Sequence, residues 1–160
     1  MMRKAFILPG LILALALPSY AIVQKERLLA SGQIMLLELA PVDPRSLIQG
    51  DYMRLDYAIT RTMAEQRDWP RDGHVVVMLD SNRVARFVRR HVPGQPLGAG
   101  ELLLQYRRRN SRVRVATDAY FFEEGSAPRY QRARYGELRV ARDGESVLVG
   151  LRDSLAAPIR

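Results

Sequence analysis

Three groups of side chains in this chain of 160 residues have the chemistry to form a site. The first are carboxylates: Asp51 directly after Gly50, and the pair Glu123-Glu124, which follows Phe121-Phe122 and precedes Gly125. Two carboxyl groups divide acid and base roles only when their surroundings drive their pKa values apart. In a strand, neighbouring side chains point to opposite faces, so one glutamate would turn inward and the other to solvent. In a chain this rich in arginine, ion pairing is the simpler account, with Arg134, next to Tyr135, as the partner expected for Glu124. Asp51 beside a strand-entry glycine can accept backbone N–H bonds and hold the turn. With Tyr52, and with Asp43 and Arg45 from the loop before it, Asp51 makes a candidate polar cluster for a ligand or a partner protein.

The second group is the histidines. There are two, His74 and His91, each at a strand end or loop, and only His74 has an acidic neighbour, Asp72. Zinc asks for three or four converging ligands, so these are expected as solvent-exposed residues, with no metal and no cofactor. The chain has no cysteine, which removes disulfides, thiolate metal sites and thiol nucleophiles. The third group is the basic run Arg107-Arg108-Arg109-Asn110-Ser111-Arg112-Val113-Arg114-Val115. Nucleic-acid binding calls for aromatics interleaved with the cations, and only Tyr106 is near, so no nucleic acid is expected. Arg112 and Arg114 alternate with valines, as in a hairpin with one wet face; anionic headgroups or an acidic loop of a partner are the functional alternative.

The elements that must position these groups read as mainly β. Met53, Leu55, Tyr57 and Ile59 alternate with Tyr52, Arg54 and Asp56, the two-residue period of a half-buried strand over 52–59. Further short strands are expected over 33–39, 74–80, 83–90, 101–107, 112–116, 119–122, 137–142 and 146–151, separated by turn residues such as Arg71-Asp72-Gly73 and Arg142-Asp143-Gly144. Such spacing predicts an antiparallel β sandwich or barrel-like domain. One or two short helices are expected, over 126–135 and within the polar stretch 60–67.

At the N-terminus, Arg3-Lys4 precedes a stretch from Ala5 to Val23 without a charge. Crossing a bilayer takes roughly 20 apolar residues, and basic residues stay on the cytoplasmic side. Residues 1–29 therefore read as a transmembrane anchor with a juxtamembrane extension, and 30–160 as one exported domain. Ser19-Tyr20-Ala21 has the small-x-small form of a cleavage site after Ala21, and Pro18 would end the helix there. Against cleavage, Ile22-Val23 and the stretch from Gln24 to Leu29 can prolong the helix; Ser31-Gly32 is the expected stop.

The octapeptide Gly50-Asp51-Tyr52-Met53-Arg54-Leu55-Asp56-Tyr57 resembles the signature of the GDYXXLXY family of bacterial membrane-anchored proteins. Gly50, Asp51, Tyr52, Leu55 and Tyr57 match without a departure, and the resemblance extends from Pro41-Val42-Asp43-Pro44-Arg45 to Tyr120–Gly125 and Ala133–Val140. It implies a retained anchor and association with multi-pass membrane proteins; the family carries no assigned biochemical activity. A proline loop running into Gly-Asp and a hydrophobic strand is also similar to signal-peptidase-like serine proteases. Their chemistry needs a serine before the proline and a lysine base, whereas Ser46 follows Pro44 and the only lysine after the first turn is Lys25. The expected function is a non-catalytic accessory or interaction module of the inner membrane. The alternatives are an exported hydrolase using Asp51 with Glu123 or Glu124, and a binding module for an envelope ligand with Tyr52, Arg54 and Asp56 as its face.

Overall fold

The computed structural model describes residues 2–40, 48–49, 52–66, 68–110 and 112–159, with side chains from Leu11 onward except at 48 and 49. Helix α1 (Met2–Ser31) comes first. The strands that follow are β1 (Gln33–Glu38), β2 (Ile48–Gln49) and β3 (Tyr52–Arg54), then helix α2 (Ala58–Ala64). Four longer strands come next: β4 (Asp72–Leu79), β5 (Ala85–Arg90), β6 (Glu101–Arg109) and β7 (Arg112–Val115). The chain ends with β8 (Ala119–Phe121), α3 (Ala127–Tyr130), β9 (Tyr135–Val140) and β10 (Ser146–Arg152).

The strands form three antiparallel sheets, in the orders β1-β9-β10, β2-β3-β8 and β5-β4-β6-β7. Residues of β1 and its exit join all three. Leu36 bridges Val84 at the start of β5, its N–H donating to the Arg83 carbonyl at 2.9 Å, and Leu39 bridges Tyr57 below β3. The result is a half-barrel around one core that includes Met35, Leu37, Val75, Val77, Leu104, Tyr106, Leu138 and Leu151. The period-two logic is clearest in β9, where Gly136, Leu138 and Val140 are buried and Tyr135, Glu137 and Arg139 are half-buried. In β4, Val75, Val76 and Val77 are all buried, because both faces of that central strand are covered.

The half-buried strand expected over 52–59 is shorter than its alternation suggests. Met53, Leu55 and Tyr57 are buried and Arg54 and Asp56 exposed, as the pattern predicts, but regular pairing stops at Arg54 and Ile59 lies in α2. The change follows from Thr60, whose N–H and hydroxyl both donate to the Tyr57 carbonyl, at 3.0 and 2.7 Å, and start a helix there. Among good helix formers such as Ala58, Met63 and Ala64, the turn then propagates.

Helix α1 runs without interruption through Ser19–Ala21 to Ser31, and its last turns pack on the β body through buried Leu28. Gly32 follows as the expected stop, its N–H donating to the Leu28 carbonyl at 2.8 Å. A Cβ there would lie 2.4 Å from the Leu28 carbonyl oxygen and 3.1 Å from Arg139 Cβ, so close approach is what requires glycine. Arg139 fixes the junction by donating to the Gly32 carbonyl at 3.1 Å.

Residues 55–57 are held from two sides. The Ala40 N–H donates to the Asp56 carbonyl at 2.7 Å, and the Leu55 N–H donates to the Asp118 carbonyl at 2.9 Å. The Tyr57 hydroxyl donates to the Thr117 carbonyl at 3.0 Å, and its ring closes on Gly136, where a Cβ would meet Tyr57 Cε1 and Leu148 Cδ1, each at 3.1 Å. Two substitutions test this clamp by urea unfolding followed through the single tryptophan, Trp69. Tyr57→Phe is expected to cost about 1 kcal/mol, the scale of one hydrogen bond, and Gly136→Ala about 1–3 kcal/mol from overpacking.

Candidate binding cleft

The exposed side of the same segment opens into a cleft of about 750 Å³ between α2 and β7. Its floor is apolar: Leu55, Tyr57, Trp69, Val113 and Val115. Among the described residues, its walls carry five arginines, Arg54, Arg61, Arg108, Arg112 and Arg114, against three aspartates, Asp56, Asp68 and Asp118. The balance is cationic, and guanidinium groups present planar, directed donors to carboxylates and phosphates.

Each wall residue is placed by an identifiable local cause. The β6–β7 hairpin turns at Asn110, at φ 48, a residue type that tolerates the left-handed region. Along β7 the exposed Arg112 and Arg114 alternate with half-buried Val113 and buried Val115, as expected for a hairpin with one wet face. Arg54 projects from β3 opposite Ala119, and Arg114 pairs with Asp118 in the bend before β8. The floor is rigid. Trp69 donates from Nε1 to the Met63 and Gln66 carbonyls, at 2.8 and 3.1 Å, satisfying the C-terminal end of α2. Its ring meets Tyr106 edge-on at 4.9 Å. Burial, reinforced by the Asp118 carboxylate, pushes the Tyr57 hydroxyl far above the usual phenol range, so it remains a neutral donor.

Of the residues singled out from the sequence, the described ones are dispersed. Gly50, Asp51, Asp43 and Arg45 lie outside the described residues. Tyr52 is half-buried in β3, its ring 5.7 Å from that of Phe121 across the strand pair. Leu55 and Tyr57, 4% and 3% exposed, are buried in the core and reach the cleft only as part of its floor. Arg54 and Asp56, two of the three residues proposed as a binding face, do line the cleft. Glu123 and Glu124 are exposed in the bend before α3, away from the cleft lining.

Among the described residues no ion pair joins Glu124 to Arg134, because Arg134 is exposed and only its backbone is engaged, with Leu39 and Arg152. Tyr135 is half-buried in β9. The well-shielded pairs lie elsewhere: Glu137–Arg152 at 2.7 Å and Glu101–Arg89 at 2.8 Å. The Glu137 hydrogen bond raises the Arg152 guanidinium pKa, against the opposing effect of burial.

The histidines also differ from expectation. Both are half-buried, with ring centroids 6.4 Å apart, because the His91 N–H donates to the His74 carbonyl at 3.0 Å and so draws the strand ends together. His91 Nδ1 is buried without a hydrogen-bond partner among the described residues. No group of three or more His, Cys, Asp or Glu able to hold a metal ion occurs among the described residues.

Trp69, Arg61 and Arg108 were not identified from the sequence as site residues. Arg108 sat inside a recognised basic run, but its separation from Arg107 and Arg109 onto the cleft side depends on strand register. Trp69 carried only the general signal of a lone large aromatic.

The fold and the cleft together define a mainly β, half-barrel domain with a cationic groove and few helices. Across residues 14–151 the chain matches the family model described as GDYXXLXY protein, and it belongs to that family. No curated protein and no solved structure matches it.

Scaffold and cleft roles separate by substitution. Leu55→Ala is expected to cost about 2–5 kcal/mol in urea unfolding, as for a buried leucine. Asp118→Asn is expected to change stability by less than about 1 kcal/mol, since its pair with Arg114 is exposed and its backbone bond to Leu55 survives.

Proposed function

We propose that this protein is a membrane-anchored accessory module of the bacterial cell envelope. Its β domain faces the periplasm and binds an anionic segment of a partner membrane protein in the cleft between α2 and β7. The observation that carries the reading is the cleft itself: among the described residues, five arginines over a rigid apolar floor, one of them in the family octapeptide. An acidic chain segment with an apolar side chain or two matches both features, and aromatic and arginine anchors of this kind dominate interface energetics.

The anchor reading draws on the stretch from Ala5 to Val23, which has no charge, after Arg3-Lys4. Of its described side chains, Leu11, Ile12, Leu13, Leu15, Leu17, Ile22 and Val23 are all exposed. An apolar helix surface of that extent in water is unfavourable, and hydrocarbon relieves it. Among the described residues, no helix is long and apolar enough to cross a membrane. The span read here also takes in residues 5–10, whose side chains fall outside the description.

No catalytic step is assigned. The candidate carboxylates Glu123 and Glu124 are not among the residues that line the cleft.

Co-purification of the full chain in mild detergent tests the reading. Recovery of a membrane partner with the wild type is expected, with a loss of tenfold or more for Arg54→Glu/Arg108→Glu, whose domain should unfold at the wild-type urea midpoint. Repeated recovery of the wild type alone, or undiminished recovery of the partner with the double variant, would count against it. A periplasmic reporter fused after Arg160 is expected to be active; activity only in the cytoplasm would reject the orientation.

A further inference from the structure

The β6–β7 hairpin has an electrostatic arrangement that packing alone does not explain. Its register sets Arg107 opposite Arg114 and Arg109 opposite Arg112. Directly opposed residues share one face of the pair, so four arginines crowd one side while Tyr106, Val113 and Val115 serve the core. Like charges in such positions oppose pairing. Asp118 sits beside Arg114, and Asp72 lies 3.9 Å from Arg107, in exposed pairs that offset part of the repulsion. Arg109 and Arg112 make no ion pair with a described residue.

This face also looks toward α1. Arg107, Arg109 and Arg114 share a depression of about 340 Å³ with Lys25, whose ammonium pairs with Glu145 at 2.5 Å. Lys25 is the second residue after Val23, where the apolar run ends. At about 1.5 Å of rise per helical residue, it stands about 3 Å beyond that run. If α1 leaves the hydrocarbon at Val23, the arginines lie at the depth of the headgroups.

We infer that the arginine face of the hairpin, completed by Lys25, binds phosphate groups of anionic phospholipids at the bilayer surface from which α1 emerges. Guanidinium groups take phosphate oxygens in bidentate fashion, and a negative surface converts the mutual repulsion of the four arginines into a shared attraction. The inference rests on the membrane-anchor reading. It does not depend on a partner in the cleft.

The test uses the full chain in vesicles of phosphatidylcholine, with or without phosphatidylglycerol. Flotation after an alkaline carbonate wash reports the anchor. Urea unfolding followed by Trp69 emission reports the headgroup contact. The midpoint is expected to rise by about 0.5 M in the anionic vesicles, a shift of ordinary size for one such interaction. The rise should vanish at high salt and in Arg107→Gln/Arg109→Gln, neither of which lines the cleft. It should persist in the charge-matched control Arg129→Gln/Arg132→Gln, exposed residues in and beside α3.

Because the first variant removes opposed charges, its midpoint in neutral vesicles should equal or exceed the wild type's; a lower one would mean the arginines are structural and overturn the inference. Equal midpoints in both vesicles for a chain that floats overturn the lipid contact and leave the anchor standing. The same rise from inorganic phosphate in neutral vesicles would assign the face to a free anion instead. A chain stripped by carbonate overturns the anchor and the lipid contact together.

Discussion

The structure depends on a clamp three residues long. Leu55, Asp56 and Tyr57 are bonded on one side to the exit of β1, through the Ala40 N–H and the Leu39 bridge, and on the other to the bend at Thr117-Asp118. These residues are distant in sequence, so forming the clamp closes long loops and is entropically costly until the core packs around it. Once formed, it fixes where β3 ends, where α2 begins and how β7 stands against them. Two side chains of the family octapeptide, Leu55 and Tyr57, are spent on this. Their hydrophobic burial and a single satisfied phenol hydroxyl account for their place in the motif without any ligand.

The exposed members of the same segment have the other role. Arg54 and Asp56 alternate with the buried positions, so the period of a strand hands one set of side chains to the core and the other to the cleft. The rigidity of the floor follows. Trp69 is tied to the end of α2 and packed edge-on against Tyr106, so the arginines stand over a preformed surface and a partner would lose little entropy in ordering it. Arg114 and Asp118 line both the cleft and the depression beside Lys25. Occupancy of one cationic surface would therefore alter the charge seen at the other.

Much of this was legible in the sequence. The strands from β4 to β10 were recoverable from alternation and turn residues because each is local, and the buried face of 53, 55 and 57 followed from the same period. What could not be read was tertiary. Tyr57 bonds a carbonyl 60 residues away, and Thr60 starts a helix where hydrophobic alternation alone would continue the strand. The pair expected between Glu124 and Arg134 required two loops to meet, and the core placed Glu137 beside Arg152 instead. The opposed arginines of the hairpin were visible as a basic run. Their crowding onto one face depended on a register that composition does not encode.

Amide hydrogen exchange of the full chain is the most direct measurement, made once in detergent and once isolated with its native membrane surroundings. Slow exchange of the Leu55 and Ala40 amides is expected in both states. Added protection in the native surroundings is expected at α2, at the Trp69 segment and along β7, the walls of the cleft. Rapid exchange at Leu55 and Ala40 in either state, or protection confined to the bend at Glu123-Glu124 with none at the cleft walls, would contradict the division between scaffold and binding surface.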